Sequence, residues 1–213
     1  MAWFVCFFTL AAISAPLVFG QSRQAPGGTP SVAVFMDFDS KPGDASLNVM
    51  EREVENLFRP AGVSLDWRRA SANSGTESFA GLVVFKFKGL CRVEGWFQPE
   101  RDGTPAGVNA LGSAQVSDGR VLPFGEVQCD QIRKALAYLD PSSNPQQRQQ
   151  AFGLAMGRVV AHELYHMLAR TTVHAEQGLA KATQSLRDLV TAPGMVFAKP
   201  DSLKIGTAFS PER

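Results

Sequence analysis

Three histidines and three cysteines are all that the 213 residues contain, and tyrosine occurs only twice. Charge of one sign is also missing. Lys and Arg number 21 against 20 Asp and Glu, for a formal net charge of +1. No basic block or aromatic-interleaved basic stripe runs through the chain, so the electrostatic footprint of a nucleic-acid binder is absent and no acidic polymer is called for. No internal repeat or low-complexity tract is present, and no apolar run reaches the ~20 residues that a spanning helix needs. What remains is an ordinary globular composition, 45% hydrophobic and 19% charged. It has chain enough for one domain with a real core and leaves no room for a second.

The first twenty residues read as targeting rather than fold. Trp3 to Phe19 is apolar apart from Thr9 and Ser14, and Val18-Phe19-Gly20 offers groups small enough for cleavage before Gln21. The expectation is a signal peptide over 1–20 and a mature domain over 21–213, secreted or periplasmic. No Lys or Arg precedes the run, so the alternative is an uncleaved anchor, the one way a membrane would enter. Cys6 lies inside this segment, and no cysteine stands at its end where a lipoprotein signal would need one. About ten residues then separate the cleavage point from the first strand, too few for a latency-conferring prodomain.

All three histidines fall within one short stretch. His162-Glu163-Leu164-Tyr165-His166 is an H-E-x-x-H motif, and His174 follows the second histidine by eight positions. On an α-helix a four-residue step returns two imidazoles to nearly the same face, while Glu163 is displaced by about 100° toward the metal's open side. Three neutral nitrogen ligands suit Zn²⁺ with a position left for water, whose pKa falls to ~7 and whose proton a nearby carboxylate takes. The motif sits well. Asn144-Pro145 reads as N-cap and first helical residue, and Ala151, Phe152, Leu154, Ala155, Val159, Val160, Leu164, Met167 and Leu168 give the density of a largely buried helix. The competing reading is a pair of core histidines bonded to backbone plus a surface His174, which leaves buried polar groups to be compensated one by one.

With Gly178-Leu179 and the segment Ser185 to Leu189 downstream, this pattern resembles a group of small exported metzincin-like zinc peptidase domains from bacteria. The resemblance spans roughly residues 31 to 190. Metzincins of the commoner spacing place the third histidine six residues after the second, with a glycine where Ala169 stands. In the resembled group the pattern runs H-E-L-G-H-x-L-x-G-x-x-x-H-S-x-x-G-I-M, and this chain departs from it at Tyr165, Arg170, Ala175 and Ala180. Ala180 takes the place of the methionine that would floor the metal site. Arg170 replaces a glycine suited to a left-handed turn, so that turn is either right-handed here or strained by about 1 to 2 kcal/mol. The resemblance implies an α+β, zincin-like single domain, with a twisted mixed sheet packed on a long active-site helix. It also implies a peptide or protein substrate.

The rest of the chain divides accordingly. Strands are expected at Ser31–Asp39, Val63–Arg68 (Val63, Leu65 and Trp67 on one face), Leu82–Phe87, Asn109–Val116 and Val121–Cys129, the last two joined through Ser117-Asp118-Gly119. A helix capped by Asp44 carries Leu47, Met50, Val54, Leu57 and Phe58 and stops at Pro60-Ala61-Gly62. Gln131–Leu139 begins a short helix and Ser185–Leu189 forms another, while Ser71–Ser78 and Gln98–Gly107 read as loops. In a zincin an antiparallel edge strand borders the cleft and pairs with extended substrate, and Ala110–Val116 is the candidate; an ordinary meander strand is the alternative.

The site expected is therefore His162, His166 and His174 on zinc with Glu163 as general base, in a metallopeptidase. The competing class is a zinc-stabilised binding or structural module without turnover, in which Glu163 would have no purpose. Another divalent metal remains open, since imidazoles suit several. Glu176 is a weaker substitute for His174 as ligand. Tyr165 either leans toward an oxyanion or packs in the core, and no tyrosine follows His174 to serve instead. Met195, in Pro193-Gly194-Met195, either underlies the metal or marks a surface bend. Once the signal is removed, Cys91 and Cys129 remain. An even count in an oxidising compartment implies one disulfide, closing a loop of about 40 residues and worth ~3 to 4 kcal/mol; two buried thiols are the alternative. A cysteine nucleophile is not expected, because the metal site claims every histidine that could activate it.

Overall fold

The computed structural model describes residues 31–72, 79, 81–93, 110–139, 144–190 and 195–207. The expected signal peptide and its cleavage point, most of the Ser71–Ser78 loop, and the Gln98–Gly107 connection lie outside these residues. Among the described residues no helix is long and apolar enough to cross a membrane.

Five strands make one twisted mixed sheet: β1 (Ser31–Phe38), β2 (Ser64–Arg69), β3 (Gly81–Lys88), β4 (Gly112–Ser117) and β5 (Arg120–Gln128). Their spatial order is β2-β1-β3-β5-β4. β1, β2, β3 and β5 run parallel, and β4 alone is antiparallel, paired to β5 along the edge. Side-chain alternation explains which face is covered. Val32, Val34 and Met36 of β1, Val83, Phe85 and Phe87 of β3, and Val127 of β5 are buried in a single core with the helices. The β4–β5 turn has Asp118 and Gly119 both at positive φ, 49° and 73°, the backbone that a two-residue hairpin favours.

Two helices carry most of that core. α1 (Asp44–Phe58) connects β1 to β2, buries Leu47, Met50, Val54, Leu57 and Phe58, and ends through a short 3-10 turn at Gly62, whose φ is +70°. Asp44 is not its cap, as the sequence suggested. Gly43 holds that position without a side-chain bond, and Asp44 is the first helical residue, where its charge favours the helix N-terminus. α3 (Pro145–Leu168) is the long helix. Asn144 accepts from the Gln147 amide at 2.9 Å while the Gln147 side chain accepts from the Asn144 amide at 2.9 Å, the reciprocal cap that Asn144-Pro145 announced. α3 lies close against α1 because of two glycines. A Cβ on Gly153 would meet the Ser46 carbonyl at 2.5 Å, and one on Gly157 the Met50 carbonyl at 3.0 Å.

α2 (Cys129–Leu139) follows β5 without a break, so Cys129 opens a helix instead of closing a strand. Its sulfur is bonded to Cys91, both residues fully buried, with a Cα–Cα distance of 5.1 Å; the bond ties the end of β3 to the start of α2. α4 (Leu186–Val190) is the expected short helix. Ser185 caps it, accepting from the Asp188 amide at 3.0 Å. α5 (Lys199–Thr207) is unanticipated, and the packed core does not end near residue 190: Phe197 and Ile205 belong to it.

Candidate metal centre

The last two turns of α3 bring His162 and His166 onto one side, and the chain then doubles back to place His174 against both rings. The centroids stand 5.3 Å from His162 and 4.7 Å from His166. One nitrogen from each of the three histidines lies within 4.8 Å of the others. His162 Nδ1 donates to the Leu179 carbonyl at 2.8 Å and His166 Nδ1 to the Thr171 carbonyl at 2.7 Å. Those bonds fix both tautomers, since a proton on Nδ1 leaves the Nε2 lone pair free. The two Nε2 atoms face each other 3.2 Å apart.

Burial sets the charge state. Desolvation, opposed by the bond to Leu179 and aided by the neighbouring imidazoles, lowers the His162 pKa to about 4. His166 is lowered in the same way. Two neutral rings with lone pairs pointed at each other repel unless a cation sits between them. A tetrahedral zinc with Zn–N bonds of ~2.0 to 2.1 Å has ligand nitrogens roughly 3.3 Å apart, so the pair fits that metal. Glu176 is exposed and does not join the cluster.

Glu163, one residue after His162 and so about 100° round the helix, lies beneath the edge strand. It is 8% exposed, and its carboxylate accepts from the Ala114 backbone amide of β4. Desolvation outweighs that bond and raises its pKa to about 7. Gly112 makes room for it. A Cβ there would lie 3.1 Å from both Cγ and Oε1 of Glu163 and 2.6 Å from Val159. Histidines, glutamate and β4 border one cleft of about 620 Å³. Its walls are largely apolar, with Leu111, Val116, Val121, Val159 and Leu189 among them, and Gln184 and Arg158 contribute polar groups. Arg158 is held by Glu53 at 2.7 Å and by the Asp188 carbonyl.

The remaining sequence candidates separate cleanly. Tyr165 is fully buried and donates to the buried Asp201 of α5 at 3.2 Å, so it packs in the core and not over the cleft. Ala180, where a methionine was awaited, is fully buried. Met195 is partly buried against the core and does not line the cleft, while Pro193 and Gly194 lie outside the described residues. Arg170 adopts φ +49°, so its turn is the left-handed one. Gly112, the Ala114 amide and Gln184 had no signal in the sequence. A glycine in a strand and a glutamine in a loop acquire meaning only when the long-range pairing of β4 with α3 and of the 178–184 loop with His162 is known.

No family model matches the sequence, and no curated protein matches it. Among solved structures it is similar to archaemetzincin from Methanopyrus kandleri, determined at 1.5 Å resolution, with a TM-score of 0.52 and 12% identity; the match covers 87% of this chain and 98% of that one. The fold is zincin-like. At that identity the likeness speaks for the zincin-like architecture alone, an α+β domain whose mixed sheet lies over the motif-bearing helix.

Proposed function

We propose that the domain is an exported zinc metallopeptidase, with His162, His166 and His174 as metal ligands, Glu163 as general base and a peptide or protein as substrate. One observation carries this reading: three imidazoles converge beside a buried carboxylate, in a cleft bordered by β4, the edge strand of the sheet among the described residues. Bound zinc would supply a Lewis acid that acidifies water and polarises a carbonyl. The chain's own residues do the rest. Burial raises the Glu163 pKa to about 7 in the metal-free protein; ionised beside bound zinc, the carboxylate takes the proton of the attacking water, then returns it to the departing amine nitrogen. The Ala114 amide holds that carboxylate in place. The outer edge of β4 offers its remaining backbone groups to an extended peptide, which completes the ladder.

Export rests on the apolar first twenty residues, with 21–213 as the mature domain. The Cys91–Cys129 bond supports it, because such bonds persist in oxidising compartments. The test is metal analysis of the mature protein beside its cleavage of a mixed peptide library. The expected result is a single zinc ion per chain and hydrolysis that a chelator abolishes. A zinc-loaded protein inert across a broad library would instead make it a zinc-stabilised binding or structural module, and a protein that takes up no metal would remove both readings.

A further inference from the structure

The two helix-borne histidines are supported differently. His166 leans on Thr171, five residues on, and the Thr171 amide returns a bond to the His166 carbonyl at 3.1 Å, so that support is built into the end of α3. His162 leans on Leu179, 17 residues away in a loop. Among the described residues the loop's backbone ties are Ala175 amide to Ala180 carbonyl at 2.9 Å, Leu179 amide to Val196 carbonyl at 3.0 Å, and a longer bond from Lys181 to Gly178 at 3.4 Å. None of these reaches the Leu179 carbonyl, and Ala180 has no long side chain to brace the turn from below.

Gln184 supplies the missing contact. Its Nε2 donates to the Leu179 carbonyl at 2.9 Å and stands 3.3 Å from the Gly178 carbonyl and 3.4 Å from that of Lys181. Its Oε1 is buried without a partner, so the amide is committed to gathering these three carbonyls. The Leu179 oxygen thus receives two hydrogens, one from His162 Nδ1 and one from Gln184, which uses both of its lone pairs. We propose that Gln184 is a positioning residue for His162, acting through the Leu179 carbonyl to fix that ring's orientation and tautomer. This rests on His162 being a metal ligand for its functional meaning, but not for its geometry.

The test uses the mature protein, first without metal. In the wild type, His162 Hδ1 should give a slowly exchanging downfield proton resonance, and the Gln184 side-chain amide protons should exchange slowly and show a cross-peak to it. Gln184→Leu keeps the bulk and removes the donors. It should fold, lose or broaden the His162 Hδ1 resonance while leaving that of His166 in place, and weaken zinc binding by about tenfold or more, within the 10–100-fold range for changes at partners of metal ligands. Thr183→Ala, an exposed neighbour lining the same cleft, should change neither. A folded Gln184→Leu with both the resonance and the zinc Kd unchanged overturns the proposal. If that variant does not fold, freely exchanging Gln184 amide protons in the wild type overturn it, and protected ones with the cross-peak uphold it. A wild type that binds no zinc, with the His162 resonance still lost in Gln184→Leu, keeps the positioning role and discards the metal centre.

Discussion

The carboxylate of Glu163 lies 3.1 Å from where a side chain on Gly112 would begin. β4 and α3 meet at that contact, so the base is gripped between the missing side chain of one strand residue and the amide of Ala114 two positions on.

Gly112→Ala should therefore act on catalysis more than on metal binding. The added methyl meets Val159 at 2.6 Å, and relieving it costs about 1 to 3 kcal/mol of stability, as overpacking does. Displacement of Glu163 should lower kcat by about tenfold or more, with zinc content kept because the nearest neighbours of the added methyl are atoms of Val159 and Glu163 and not of the imidazoles. Loss of zinc with kcat preserved in the remaining loaded protein would contradict this division.

His174 is the one exposed member of the cluster, and Glu176 stands outside it. His174→Ala should lower zinc affinity far more than Glu176→Ala, measured by competition with a chromogenic chelator. Equal retention by the two variants would remove His174 from the ligand set.

Much of this was legible from sequence, and the pattern of misses has a physical cause. Local chemistry read correctly: Asn144-Pro145 as a cap, Gly62 as a stop, Asp118-Gly119 as a turn, and the four-residue step that aligns His162 with His166. The edge position of β4 followed from the zincin resemblance. What was not legible depends on distant partners. Tyr165 had two roles open until Asp201 of α5 claimed its hydroxyl, and α5 itself is short, with its burial resting on Ile205 and Asp201. Asp44 was one residue from the cap because Gly43 and Asp44 both tolerate the start of a helix, and only the backbone decides.

Arg170 carries a left-handed backbone, φ +49°, just past the end of α3, with the Thr171 amide bonded back to the His166 carbonyl. A side chain in that region is disfavoured, and glycine is the residue that helix ends select there. Arg170→Gly should leave the site unchanged and raise stability by up to about 1 kcal/mol, less whatever the freer glycine adds to the unfolded chain. Urea unfolding of the metal-free protein measures it. A clear destabilisation would mean that the guanidinium makes a contact worth more than the strain.

The last prediction concerns the metal-free protein and opposite linkages at adjacent residues. Glu163 has its pKa raised from 4.5 to about 7 by burial. Below about 4.5 both folded and unfolded chains hold its proton, so the folded state bears no penalty; the penalty builds as pH rises from 4.5 to 7, because the unfolded chain gives up the proton first, and is complete above 7. His162 is lowered from 6.5 to about 4 by burial. Its neutral form is free above pH 6.5, and stability is lost as pH falls from there toward 4, because the unfolded chain takes up the proton first. Between pH 4.5 and 6.5 the Glu163 effect opposes that of His162, while His166, whose pKa burial also lowers, adds a further loss of wild-type stability toward acid. Glu163→Gln removes the first of these effects. The variant should melt above wild type at pH 8, lose that advantage by about pH 4.5, and fall more steeply with acid in between, while zinc-loaded peptide hydrolysis drops by on the order of 10² to 10⁴. Thermal melts of chelator-treated protein from pH 4.5 to 8 test it, and parallel curves for wild type and variant would mean that Glu163 is not held as a buried, proton-retaining carboxyl.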